Sequence, residues 1–222
     1  YRVFERLFRK SGASPKRVLE VGASSGSLGL FLKEAIPLVT LDFTDFSPES
    51  VSHIKELGVG EVFVADLTKL SDFGVRRYET ILASEVLEHI VDDTVVLRNL
   101  HALLEPLGTL LISVPSRKKY WSRHDTFSGH VRRYEPGELE KNLVAAGFEI
   151  ATSLVWGAFF YNLYAAVMTR LPPSALMKRE RPGLATRFVV AVLYLLFFCD
   201  DVFVFTRRGR RLFVVAKRRA SL

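Results

Sequence analysis

The segment Val18–Gly29, VLEVGASSGSLG, constrains the fold more than any other part of the chain. An apolar run, Val18-Leu19-Glu20-Val21, turns through Gly22, Ser24, Ser25 and Gly26 into a second apolar run, Leu28 to Leu32. That order predicts strand, tight turn, helix, the opening of a doubly wound α/β sheet and a nucleotide-binding corner. Glycine lets backbone approach a ligand where a Cβ would collide, and the helix start offers unpaired N–H groups. The spacing Gly22-x-x-x-Gly26-x-x-Gly29 is not the dinucleotide GxGxxG, and Glu20 lies inside the strand. A carboxylate there would repel a pyrophosphate and suit an amine or sulfonium, which disfavours a NAD-dependent dehydrogenase.

The 222 residues suffice for one domain with a full core. A net charge of +7 points to an anionic partner, nucleic acid or an acidic membrane surface. The single cysteine, Cys199, excludes an internal disulfide and fits a reducing, cytoplasmic compartment. CxxC and HExxH spacings are absent, so no metal is expected, and no signal peptide is visible.

Residues 2–10 place Val3, Phe4, Leu7 and Phe8 on one helical face, a helix packed on the domain or a lid over the ligand. Leu38–Phe43 reads as strand two, with Asp42 and Asp45 competing for a ribose at its end. Asp45 is favoured because Ser47 can cap a helix beginning at Pro48, and ligands bind at the carboxyl ends of such strands. Further strands are expected at 62–65, 78–83 and 109–114, with helical pattern at 48–57, 86–91 and 94–104. Strands alternating with helices imply a parallel sheet.

Val18–Gly29, Asp45-Phe46-Ser47-Pro48-Glu49, Val64-Ala65-Asp66-Leu67, Ala83-Ser84-Glu85-Val86-Leu87-Glu88-His89-Ile90 and Leu104–Ile112 together resemble the class I S-adenosylmethionine-dependent methyltransferases. The resemblance covers about residues 15–155 and implies a Rossmann-like, seven-stranded α/β sheet with an antiparallel last strand. It implies S-adenosylmethionine as cofactor, with Glu20 at the methionine amino end and Gly22, Ala23 and Gly26 along the methionine. Asp45 would accept the ribose hydroxyls, Phe46 would pack on adenine, Asp66 and Leu67 would hold its edge, and Ser84 would touch cofactor or substrate. The family usually has glycine where this chain has Ser24; a serine fits if that position has negative φ.

Residues 116–134 form a basic, aromatic stretch whose HVRRY sequence resembles a small-molecule, lipid or saccharide branch of the family, in which this loop covers the acceptor. Tyr120, Trp121, His124, Asp125, His130, Arg132, Arg133 and Tyr134 are the candidates there. Arg132 and Arg133 suit an anion bound bidentately, or else a solvated face. An oxygen acceptor needs a base, and His130 ranks ahead of His124 and His89.

Strand six begins near Phe148, and Arg211–Lys217 reads as strand seven, about 55 residues later than a short hairpin would deliver it. The chain then divides into an N-terminal helix (1–17), a cofactor-binding core (18–155), an apolar helical insertion (156–206) and the last strand and tail (207–222). The insertion is flanked by Lys and Arg, and its run Phe188–Cys199 is shorter than the roughly 20 residues that span a bilayer. It suits peripheral attachment to an anionic membrane, a homodimer contact or internal packing. Methyl transfer to a hydrophobic or anionic small molecule is the expected function, with a lipid, quinone, polyketide or saccharide conjugate as acceptor. The alternative is an inactive module that binds membrane or protein through residues 156–206. The cations cluster around apolar helices and no base-methylating Pro-Pro-Tyr motif is present, which disfavours nucleic acid.

Overall fold

A computed structural model describes residues 1–12, 16–35, 40–168 and 208–219, with helical turns at 192–193, 195–197 and 199–200. Seven strands make one sheet: β1 (Arg17–Val21), β2 (Thr40–Asp45), β3 (Val62–Val64), β4 (Tyr78–Ser84), β5 (Leu104–Pro115), β6 (Phe148–Trp156) and β7 (Arg211–Arg218). Their order is β3-β2-β1-β4-β5-β7-β6. The first five run parallel, and β7 lies antiparallel between β5 and β6. The sheet reverses direction of winding beside β1, between β1 and β4, which places a binding crevice at the carboxyl ends of those strands.

Side chains alternate across the pleat. Leu19 and Val21 of β1 face one apolar layer with Ile81, Ala83, Leu110 and Ile112. This layer is covered by α4 (Asp93–Leu103) and α6 (Glu138–Ala145) through Val96, Leu100, Leu139 and Leu143. Val18 faces the other layer with Leu41, Phe43, Leu82 and Phe213, closed by α1 (Arg2–Lys10), α2 (Ser27–Ala35) and α3 (Pro48–Lys55). Val3, Phe4, Leu7 and Phe8 are all buried in this second layer, so α1 packs on the sheet and is not a lid over the ligand. Ser47 caps α3 by accepting from Ser50 N–H, with Pro48 at the first helical position.

Several expected boundaries move. The stretch after β4 is a single 3₁₀ turn, Leu87–His89, and not a longer helix. β2 is described from Thr40 to Asp45, so of the two competing acids Asp42 is an interior strand residue and Asp45 stands at the strand's end. Asp42 is buried and accepts from Arg17 at 2.7 Å and from Glu61 N–H at 3.0 Å. An unpaired carboxylate at that depth would be costly, and the guanidinium supplies its partner.

Most of the apolar insertion, including residues 188–191 and 201–207, lies outside the described residues, as does Pro37. The described part forms α7 (Phe160–Met168). Asp200, buried, accepts from the N–H groups of Phe159, Phe160 and Tyr161 at 2.6–3.1 Å and so caps the start of α7. Trp156, Tyr161, Tyr164 and Phe197 form a ring cluster that ties α7 to the end of β6. Among the described residues no helix is long and apolar enough to cross a membrane.

Candidate active site

A cavity of about 620 Å³ opens at the carboxyl ends of β1, β2 and β4. Gly22 and Ser24 come from the first turn, Asp45 and Phe46 from the end of β2, Asp66 and Leu67 from beyond β3, and Ser84 and His89 from beyond β4. Eight residues singled out in the sequence therefore share one wall. Thr44, Ser50, Ala65, Glu85, Val86 and Ile90 also line it, and pattern reading passed over them because each looks like an ordinary strand or turn residue.

The turn is built by its glycines. Gly22 has φ +59°, and a Cβ there would lie 2.6 Å from Val86 Cγ2. Ser24 also has a positive φ, +52°, so the condition of negative φ does not hold. A left-handed serine carries a cost of roughly 1–2 kcal/mol. Its N–H is held at 2.8 Å by Asp45 Oδ2. Asp45 Oδ1 accepts from Ser47 N–H at 2.9 Å, which fixes the carboxylate with lone pairs still open to the cavity. Asp66 accepts from Thr68 N–H and Oγ1, and these bonds hold its carboxyl below the usual range. Phe46 is 75% exposed, an open apolar face at the cavity edge.

Glu20, Ala23 and Gly26 lie behind this wall and not on it. The pleat that sends Leu19 and Val21 one way sends Glu20 toward α2, where Oε2 accepts from Gly29 N–H at 2.7 Å. That N–H belongs to the first turn of the helix, where donors lack intrahelical partners. A Cβ on Gly29 would lie 2.6 Å from the same oxygen, which explains the third glycine of the motif. Burial pushes the Glu20 carboxyl up to about 8, against the Gly29 bond and with the nearby Asp45 charge adding to the rise. Burial thus works against the negative charge that the sequence reading gave Glu20.

A folded-state value above the unfolded one means that the native protein holds the proton more tightly. Stability from this group is full below about 4.5 and is lost as pH rises through about 8. The loss is expected to be on the order of a few kcal/mol. Glu20→Gln keeps an acceptor for Gly29 and is expected to flatten melting temperature between pH 5 and 9. An unchanged slope in that variant would refute the assignment.

A second cavity of about 260 Å³ adjoins the first, and Glu85 lines both. Glu85 has φ +55°, an uncommon backbone for a non-glycine and a recurrent mark of functional turns. Its Oε1 accepts from Ser113 Oγ at 2.8 Å, and Arg211 lies 3.7 Å from Oε2. The other walls carry His124, Asp125, His130 and Arg133, together with Tyr161, Tyr164 and Ala165 of α7. Asp125 organises this region from α5 (Arg123–Phe127). It is 1% exposed and accepts from His130 Nδ1 at 2.9 Å, from Arg133 at 2.7 Å and from Ser122 N–H and Oγ at 2.7 and 2.8 Å. Burial opposes its charge, but the bonds from His130, Ser122 and Arg133 prevail and hold the carboxyl well below the usual range. Because an ionised carboxylate only accepts, Nδ1 donates, and a neutral His130 keeps its lone pair on Nε2. His89 meets His130 edge-to-face at 4.8 Å, across the junction of the two cavities. Burial, then the neighbouring His130, hold His89 below its usual value.

The HVRRY arginines separate. Arg133 lines the second cavity, whereas Arg132 is committed to Asp93 at 3.1 Å and to the Val91 carbonyl. Tyr134 is fully buried and donates to Asp93 at 2.7 Å, so it belongs to the core. Trp121 donates to Thr126 Oγ1 at 3.2 Å, and Tyr120 lines a third cavity with Lys119, Asn162 and Arg208. Neither Trp121 nor Tyr120 reaches the junction.

The methyltransferase-domain family matches residues 2–153. A ubiquinone biosynthesis O-methyltransferase of Azorhizobium caulinodans is 27% identical over 155 residues, covering 61% of this chain and 59% of that protein. A trans-aconitate 2-methyltransferase of Rhodococcus jostii is 29% identical over 114 residues, covering 50% and 43%. The chain thus spans about half the length of these curated relatives. Among solved structures, the [4+2]-cyclase SpnF superposes with a TM-score of 0.68 at 18% identity, covering 99% of this chain and 82% of that one. Coclaurine N-methyltransferase, bound to N-methylheliamine and SAH, superposes with a TM-score of 0.63 at 18% identity, covering 98% and 72%. At such identities the structural likeness is one of fold, and the family rests on the sequence match. With that match running from α1 to β6, across every strand end that lines the larger cavity, the chain belongs to the methyltransferase-domain family, of the class I S-adenosylmethionine-dependent type.

Proposed function

We propose that the larger cavity holds S-adenosylmethionine and that its methyl group passes to an oxygen of a small molecule seated in the second cavity. One observation supports this most. The larger cavity carries three carboxylates, Asp45, Asp66 and Glu85, and no lysine or arginine among its described lining residues. Such a wall repels phosphates and favours a nucleoside with a cationic group. Asp45 would hold the ribose, Phe46 and Leu67 the base, and the Gly22 turn the methionine, where no side chain could fit. The cofactor supplies a methyl already activated on sulfonium.

The chain's own part is alignment and proton management. Tyr161, Tyr164 and Ala165 of α7 give the acceptor an aromatic wall, and Arg133 and Arg211 give it cations that an anionic substituent could meet. Glu85 is common to both cavities, which supports a meeting of donor and acceptor beside it. An acceptor hydroxyl must lose its proton as its oxygen bonds to carbon and the carbon–sulfur bond breaks, leaving a neutral thioether. His89 and the Nε2 of His130 are the basic lone pairs beside that point. Two relatives are named for small-molecule methylation, one of them on oxygen, in keeping with a hydrophobic or anionic acceptor of the quinone-precursor kind.

The test is transfer of isotopically labelled methyl from S-adenosylmethionine to a panel of phenols, catechols and hydroxy acids. His130→Asn is expected to lower kcat by roughly 10²–10⁴ while cofactor affinity by calorimetry stays unchanged. Absence of cofactor binding by the unaltered protein would sink the proposal.

A further inference from the structure

The junction between the two cavities contains a group that proton transfer does not use. Glu88, from the 3₁₀ turn after β4, is 0% exposed, and neither carboxylate oxygen has a hydrogen-bond partner. A fully buried carboxyl without a donor is costly by several kcal/mol unless something else satisfies it. Two imidazoles are in reach, and the Arg211 and Arg133 guanidiniums lie close enough to act on its charge without bonding to it. One ligand-type atom each from Glu88, His89 and His130 lies within 4.8 Å of the other two. Ligands about 2.0–2.2 Å from a common ion stand roughly 3–4.4 Å apart, so small rotamer adjustments close the cluster.

The surroundings match what metal-bound histidines need. A ligating imidazole is normally oriented by a carboxylate or backbone oxygen on its other nitrogen. His130 Nδ1 is held on Asp125 at 2.9 Å, which leaves Nε2 for the cluster. His89 interacts with the backbone of Gly129 and Ser128. Charge also permits a cation. Three carboxylates gather here, Glu85, Glu88 and Asp125, and balance the three guanidiniums of Arg133, Arg210 and Arg211, so no excess of positive charge opposes an ion. The pattern escapes sequence inspection because His130 is 41 residues from His89, far outside any short motif spacing.

We propose that Glu88, His89 and His130 form a binding site for one divalent transition-metal ion at the junction, with open positions for an acceptor oxygen. Two imidazoles and one carboxylate form a nitrogen-rich set that favours zinc, iron or cobalt over the all-oxygen preference of calcium and magnesium. This inference deepens the methyl-transfer reading and rests on it for its purpose. An acceptor hydroxyl bound to the ion becomes more acidic. Its proton then leaves to solvent, the oxygen bonds to the methyl carbon, and the carbon–sulfur bond breaks to leave the thioether. With the ion bound, the imidazole lone pairs named above as proton acceptors are engaged as ligands, and solvent takes the proton in their place.

Purified protein, dialysed against chelator and then buffer, is titrated calorimetrically with Zn²⁺ and separately with Mg²⁺. Co²⁺ is added to a third sample to record its visible absorption bands. One Zn²⁺ per chain is expected, with weaker or absent Mg²⁺ binding and a Co²⁺ spectrum of a low-coordinate nitrogen/oxygen site. Glu88→Gln, nearly isosteric, and His130→Asn are expected to weaken Zn²⁺ by more than the roughly 10–100-fold that losing even an outer partner costs. Both should keep a cooperative melt and unchanged affinity for S-adenosylmethionine. No stoichiometric Zn²⁺ binding, or equal affinity in both variants, overturns the site and leaves Glu88 a buried protonated acid. A protein that binds Zn²⁺ through these residues but methylates nothing overturns the methyl-transfer reading and leaves the metal site standing.

Discussion

Asp125→Ala is expected to lower the free energy of unfolding by about 3–5 kcal/mol, the usual result of removing one partner of a buried ion pair. The size follows from what the carboxylate holds. Arg133 is itself nearly buried and has its guanidinium on Asp125 at 2.7 Å. Truncation leaves that charge without its anion in a place where water reaches poorly. The Ser122 N–H and hydroxyl also lose their acceptor, so the capping box of α5 dissolves. For a chain of this length the melting temperature should fall by roughly 6–20 °C. Asp125→Asn keeps one acceptor oxygen and should lose less. A double-mutant cycle with Arg133→Met separates the terms: if the coupling energy between positions 125 and 133 is near zero, the ion-pair argument is wrong.

The second large effect concerns the cofactor. Asp45→Ala is expected to weaken S-adenosylmethionine binding by roughly 10–100-fold, the contribution of one charged hydrogen bond. The paired variant Asp42→Ala is expected to leave affinity unchanged while lowering the melting temperature. The contrast comes from geometry. Asp45 stands at the cavity with its oxygens anchored by Ser24 and Ser47, whereas Asp42 is paired with Arg17 away from the cavity wall. Calorimetry on both variants decides it, and equal affinities for Asp45→Ala and the unaltered protein would overturn the assignment.

Much of the larger cavity's lining was legible in advance because it follows local rules. A Gly-rich turn after an apolar run, and acids just past strand ends, place themselves wherever the parallel sheet forms. Glu20 shows the limit of that reading. Its position was plain, but its direction was set by the pleat and the upward shift of its carboxyl by burial, which outweighs the Gly29 bond. Ser24 shows another, since a φ of +52° leaves no trace in the residue's identity.

The second cavity needed three dimensions. Arg132 and Arg133 are adjacent in sequence, yet one is bound to Asp93 and the other faces the second cavity. Asp200 follows an apolar run in sequence, and it caps a helix 40 residues earlier whose tyrosines wall the second cavity. Glu88 and His89 met His130 only when the loop after β5 folded back across the strand ends. Sequence by itself therefore determined the sheet, its turn and the carboxylates at the strand ends that line the larger cavity, because periodicity, capping and strand-end position are properties of neighbouring residues. The tertiary structure decided which charges are paired and which face the junction, because burial and pairing depend on residues that only folding brings together.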